Sequence, residues 1–83
     1  MKYDHIVTGQ VIHALRKKRR QSQEVLSGLA GIARSHLAMI ENGTKDASVD
    51  TLWRIAEALG IPLSELIRQV EARLCEAESD QSS

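Results

Sequence analysis

The sequence predicts an all-α domain of five short helices, and three observations support that prediction. Ala, Leu, Ile, Glu, Arg and Gln dominate, while Phe is absent and Trp, Tyr and Pro occur once each, a composition that favours helix over strand in nearly every segment. Apolar residues recur three and four positions apart, the period of a helix with one buried side. Ser, Gly and Pro fall between these segments as start and stop signals. Eighty-three residues make one domain, which at this size buries only about 60–65% of its unfolded surface. A small helical core is attainable; an elaborate active site is not.

The first helix is expected over about residues 5–19, with Val7 or Val11, Ile12 and Leu15 facing inward. Ser22 is suited to cap a second helix over about 23–30, in which Leu26 and Ala30 face the core. Gly31 sits at a sharp turn, where a residue without Cβ escapes the steric cost of positive φ. A third helix is expected from Ala33 to about Asn42, stopping at Gly43, with Ile32, Leu37 and Ile40 buried and Arg34, Ser35, Ala38 and Met39 outward. Ser48 is expected to cap a fourth helix through Leu59, with Val49, Leu52, Ile55, Ala56 and Leu59 as its buried stripe. Gly60 ends it. Pro62 and Ser64 announce a fifth, from Glu65 well into EARLCEAE, before a polar tail at 79–83 frays.

Charge is balanced overall but not along the chain. Residues 1–20 hold six cations, Lys2, Arg16, Lys17, Lys18, Arg19 and Arg20, against Asp4, a net of +5; residues 48–83 hold three arginines against seven acids, a net of −4. A basic front suits phosphates, and RKKRR equally complements the negative end of the first helix dipole; both roles can hold together. Cys75 is the only cysteine, so no internal disulfide forms, and no signal peptide or run of about 20 apolar residues is present. A soluble, cytoplasmic setting is the expectation. Chemistry finds no foothold: His5, His13 and His36 lack metal-ligand spacing, and no phosphate-cradling glycine loop occurs. Neither an enzyme nor a cofactor or metal is expected.

Residues 22–43, SQEVLSGLAGIARSHLAMIENG, thus read as two short helices joined by a glycine turn, the pattern of a helix-turn-helix that docks in DNA. The wider segment Gly9–Ile67, 59 residues of the chain, resembles the lambda-repressor-like, Xre/Cro type of helix-turn-helix domain. The resemblance lies in G-x-x-I-x-x-L-R at Gly9, Ile12, Leu15 and Arg16, S-Q-E-x-L at Ser22–Leu26, and AGI at Ala30–Ile32. It continues in I-E-N-G at Ile40–Gly43 and S-x-x-T-L-x-x-I-A-x-A-L-G-I at Ser48–Ile61. The chain departs from that pattern at Arg20, where a Gly or short polar residue is usual, and at Gln21, usually apolar. Ser27 replaces a packing Ala, and Ala33 replaces a hydroxyl cap.

The resemblance implies that the third helix enters the major groove. Arg34, Ser35, Ala38 and Met39 would then face base edges, with Arg34 suited to donate two hydrogen bonds to guanine. Ser22, Gln23, His36, Asn42, Thr44, Lys45 and Arg20 would contact phosphates. An ion pair between Arg16 and Glu41 is implied as a structural tie between the first and third helices. Major-groove readers of this size dimerise on inverted repeats. Trp53, Ile67, Val70 and Leu74, with Ala77, are candidate interface residues, although the seam on the fifth helix suits packing onto the first helix too. Val25 and Leu29 form a further apolar pair compatible with the core. The function implied is a dimeric transcriptional regulator on double-stranded DNA, of the phage-repressor, restriction-modification-controller or antitoxin type. The competing expectation is an adaptor or antitoxin whose main partner is a protein, met by the fifth helix and acidic tail. Domain limits follow as 5–67 for the helix-turn-helix domain, 68–78 for a dimerising extension and 79–83 for the tail.

Overall fold

The computed structural model describes the backbone of residues 2–82 and the side chains of residues 2–76. Five helices follow in order: α1 (His5–Lys18), α2 (Gln23–Ala30), α3 (Arg34–Glu41), α4 (Val49–Ala58) and α5 (Leu63–Ser82). Helix α1 packs on α3 and α5, α2 on α3 and α4, and α4 on α5. The buried residues Ile12, Leu26, Leu37, Ile40, Ile55 and Leu66 bring side chains from all five helices into one core. Helix α5 overhangs it, which lengthens the molecule to 41 Å in one direction against 23 Å in the others.

Three helices start on a side-chain cap. Asp4 accepts the Ile6 N–H at 2.9 Å, Ser22 the Val25 N–H at 3.1 Å and Ser48 the Thr51 N–H at 3.2 Å, each satisfying a donor that the first turn leaves free. Ala33 lies outside α3 as its N-cap and supplies no such bond. At their other ends α1 to α4 share one closure, in which two successive N–H groups turn back onto the last helical carbonyls. In α1 these are Arg20 N to Lys17 O and Gln21 N to Arg16 O; in α2 the same bonds run from Gly31 and Ile32, in α3 from Gly43 and Thr44, and in α4 from Gly60 and Ile61. The closure needs one left-handed residue. Gly31, Gly43 and Gly60 supply it at φ 72°, 84° and 77°, but in α1 the position is held by Arg20 at φ 57°.

Several expectations need correction. Val11 is the inward valine of α1, with Val7 partly buried beside the core. Val49 is 68% exposed: as the first residue of α4 it overhangs the core and shares a face with Trp53 four residues on. Val70 is 1% exposed, so it faces this chain's own core and is not an interface residue; Ile67 and Leu74 are partly buried against the same core. Val25 and Leu29 are exposed, not core. Helix α5 starts at Leu63, on the Pro62 carbonyl, and continues to Ser82, past the expected start of the tail. No Gly or Pro interrupts residues 63–82, and extending an existing helix is far easier than nucleating one. Ala77 lies outside the residues whose side chains are described. No helix among the described residues is long and apolar enough to cross a membrane.

Candidate nucleic-acid interface

Helix α3 presents its first turn to solvent. Arg34, Ser35 and Met39 are exposed, and Ala38 and His36 are partly exposed on the same helix. Arg34 makes no ion pair among the described residues. Its guanidinium instead shares an open groove with Lys17 and Arg20 from the end of α1 and with Ser22, Gln23 and Glu24 from the start of α2. These three cations, with the Glu41-bound Arg16 behind them, therefore meet the N-terminus of α2, whose free N–H groups favour an anion.

The far end of α3 is shaped by its own loop. The Asn42 side-chain oxygen accepts the Thr44 N–H at 3.0 Å and the Thr44 hydroxyl at 2.7 Å, a local turn that holds 42–44 in one conformation. Asn42 keeps its amide N–H donors, and Thr44 and Lys45 are exposed beside it. His5 from α1 contacts the Gly43 carbonyl at 3.1 Å, fixing the loop from below.

Between these two ends lies a buried polar cluster. Glu41 receives the Arg16 guanidinium through two bonds, Nε to Oε2 at 2.8 Å and Nη2 to Oε1 at 2.9 Å. Oε1 also meets His13 Nδ1 at 2.9 Å and the Gln23 amide at 3.2 Å. Arg16 spends its remaining amino group on the Gln21 carbonyl at 2.8 Å. One carboxylate thus joins α1, α2 and α3. Burial alone would raise the Glu41 pKa, but the hydrogen bonds from Arg16, His13 and Gln23 and the Arg16 charge outweigh it and hold the pKa below the ordinary carboxylate value. The same hydrogen bond raises Arg16 against the opposing effect of burial.

The structure therefore joins Arg16 and Glu41 as the sequence implied, and it adds two residues that sequence reasoning placed elsewhere or missed. Gln23, expected on a phosphate, directs one amide N–H to Glu41. His13 had one legible signal, its position three residues before Arg16 on the same helix face. Among the described residues no group of three or more His, Cys, Asp or Glu side chains is arranged to hold a metal ion.

Two helices joined by a glycine turn, the second projecting from a three-helix cluster with its polar face free, define a helix-turn-helix protein. The helix-turn-helix family HTH_3 matches residues 12–66, and the chain belongs to that family. It is similar to the immunity repressor protein of Bacillus phage phi105, 36% identical over 78 residues that cover 94% of this chain and 54% of the repressor. It is also similar to control protein C.MunI from a Mycoplasma species, 36% identical over 64 residues covering 76% of this chain and 86% of that protein. Among solved structures, the restriction-modification controller protein C.AhdI from Aeromonas hydrophila superposes with a TM-score of 0.72 at 34% identity, covering 75% of this chain and 94% of the controller. The chain spans about half the length of the phage repressor it matches.

Proposed function

We propose that this chain is a repressor or autoregulator that binds an inverted repeat in double-stranded DNA as a homodimer, in the cytoplasm. The observation that carries the proposal is the position of Arg34 at the exposed start of α3, without an ion-pair partner among the described residues, in a groove that also holds Lys17, Arg20 and the α2 N-terminus. Docked in the major groove, Arg34 donates two hydrogen bonds to guanine O6 and N7, worth about 1–3 kcal/mol of discrimination. Ser35, Ala38 and Met39 complete the base-facing surface, Ala38 or Met39 against a thymine methyl. Arg20, Ser22 and Gln23 take phosphates on one flank, and His36, Asn42, Thr44 and Lys45 take them on the other.

Dimerisation is assigned to the face of α4 and α5 that the core leaves open. Trp53 is 56% exposed and shares an apolar groove with Pro62, Leu63 and Ile67. Val49 extends the same side of α4, and Leu74 continues it on α5. A two-fold axis through this face buries each tryptophan and spaces two α3 helices for successive major grooves.

Selection of bound duplexes from a random pool tests the whole proposal. The expected product is a palindromic consensus with half-sites about 10 base pairs apart or a multiple of that. Arg34→Ala is expected to lose preference for that site far more than non-specific affinity. A protein-binding adaptor would instead keep its function when Arg34, Ser35 and Met39 all become Ala, and that outcome removes the proposal. Trp53→Glu is the test of the interface by sedimentation, since truncation after Ile67 would also delete the core residue Val70.

A further inference from the structure

A cleft on the α3 side of the molecule has a wall that belongs to the C-terminal helix. It is lined by Gln10, His13 and Ala14 of α1, Gln23 of α2, Ala38 and Asn42 of α3, and Arg73 of α5. Three of these, Gln23, Ala38 and Asn42, belong to the proposed DNA surface, so Arg73 borders that surface across the width of α1. Arg73 is exposed and, among the described residues, has no ion-pair partner. The contrast with its neighbours is informative. Arg68 is held by Glu65 through two bonds of 2.7 Å, and Arg54 is paired with Asp50 at 3.1 Å. Arg73 also borders a second groove, with Lys18, Glu65 and Glu76, but among the described residues it forms no ion pair with either glutamate.

We infer that Arg73 is a further phosphate-binding residue, through which α5 extends the protein's grip on the DNA backbone beyond the helix-turn-helix itself; this rests on the DNA-binding function proposed above. A strand passing Gln23 and Asn42 continues over the outward side of α1, where Gln10 and His13 are exposed and, among the described residues, no acidic side chain other than the fully engaged Glu41 lines the cleft. Among the described residues that line the cleft, the cation is Arg73. A guanidinium on a long, exposed side chain suits that role, because its planar fork matches phosphate oxygens. Helix α5 then has two functions on two sides: its Ile67 side serves the proposed dimer, and its Arg73 side serves the DNA. Phosphate contact brings no sequence information, so the effect is on affinity and salt dependence alone.

The test compares full-length wild-type protein with Arg73→Gln, Arg73→Lys and Arg34→Ala, measuring affinity for the selected site and for a random duplex across a salt series. Arg73→Gln is expected to make the slope of log affinity against log salt shallower by about 0.9 per protomer bound, equally on both duplexes, with the thermal midpoint and the oligomeric state unchanged. Arg73→Lys is expected to restore the slope. An unchanged slope in Arg73→Gln, alongside lost site preference in Arg34→Ala, overturns the inference and leaves the DNA-binding proposal standing. If the wild-type protein binds neither duplex in a salt-dependent way, both fall together.

Discussion

Gly9 of α1 lies against the backbone of α3 so closely that a Cβ at position 9 would overlap the Ile40 carbonyl oxygen and sit 3.1 Å from that of Glu41. The close approach lets α1 and α3 pack backbone to backbone, about two turns before Arg16 reaches Glu41. Two carbonyls of a helix cannot yield as the tip of a flexible side chain can. Gly9→Ala is therefore expected to lower stability by about 3 kcal/mol, as overpacking does at its upper end, although helix propensity alone favours Ala by about 0.5–1 kcal/mol. Gly28 is the control. A Cβ there meets nothing within 4 Å, and Gly28→Ala is expected to raise the thermal midpoint while Gly9→Ala lowers it by more than about 10 °C.

The Glu41 cluster predicts both a mutational and a pH response. Glu41→Ala strands the buried Arg16 cation and is expected to cost about 3–5 kcal/mol, a large share of the 5–15 kcal/mol typical of a whole domain. DNA binding then fails through unfolding. Arg16→Met combined with Glu41→Leu is expected to recover most of the loss in urea denaturation, because the charge and its partner leave together. The folded-state pKa of Glu41 is lowered, so its contribution is fully present above the unfolded value of about 4.3 and is lost as pH falls through the folded value. Midpoints measured from pH 6 down to pH 3 are expected to fall less in the double variant than in the wild type.

Much of this architecture was legible because a helix with one buried side writes its period into the sequence. Leu26, Leu37, Ile40 and Ile55 are where that period puts them. Val49 and Val70 were misplaced for a shared reason: periodicity identifies a stripe but not where the neighbouring helices end, so it cannot say that α4 begins beyond the core or that α5 returns to it. The Arg16–Glu41 pair came from resemblance alone, and its extension to His13 and Gln23 depends on how three helices converge. The departures from the family pattern at Arg20, Gln21 and Ala33 each coincide with a local cost. Arg20 is left-handed, the Gln21 side-chain oxygen is buried without a partner, and Ala33 caps nothing. Ser27, the fourth departure, is satisfied: its hydroxyl donates to the Glu24 carbonyl at 3.1 Å. Arg73 carries no signal in the sequence, since nothing in its spacing relates α5 to the open side of α3.

The missing cap on α3 is the simplest of these costs to reverse. Ala33 already has the extended backbone of an N-cap, φ −67° and ψ 143°, close to the −78° and 164° of Ser22 and the −67° and 162° of Ser48. A hydroxyl there needs no rearrangement to accept an N–H of the first turn. Ala33→Ser is expected to add about 1 kcal/mol, read as a rise of about 4–8 °C in the thermal midpoint. No gain would mean that α3 already satisfies its first turn without a side-chain cap.

Arg20 separates stability from binding in a single substitution. It occupies the left-handed position that glycine fills at the ends of α2, α3 and α4, where a residue with a Cβ is disfavoured by roughly 1–2 kcal/mol. Its side chain meanwhile adds a cation to the groove beside the α2 N-terminus, the location proposed for phosphate. Arg20→Gly relieves the backbone and removes the charge. After the entropy that glycine loses on folding, the expected gain in stability is about 1 kcal/mol, measured by urea denaturation. The salt dependence of DNA binding is expected to become shallower by about 0.9 per protomer, with site preference retained. A more stable protein that grips DNA less firmly would show that the arginine is kept at a strained position for its charge; a slope equal to that of the wild type would remove Arg20 from the phosphate contacts.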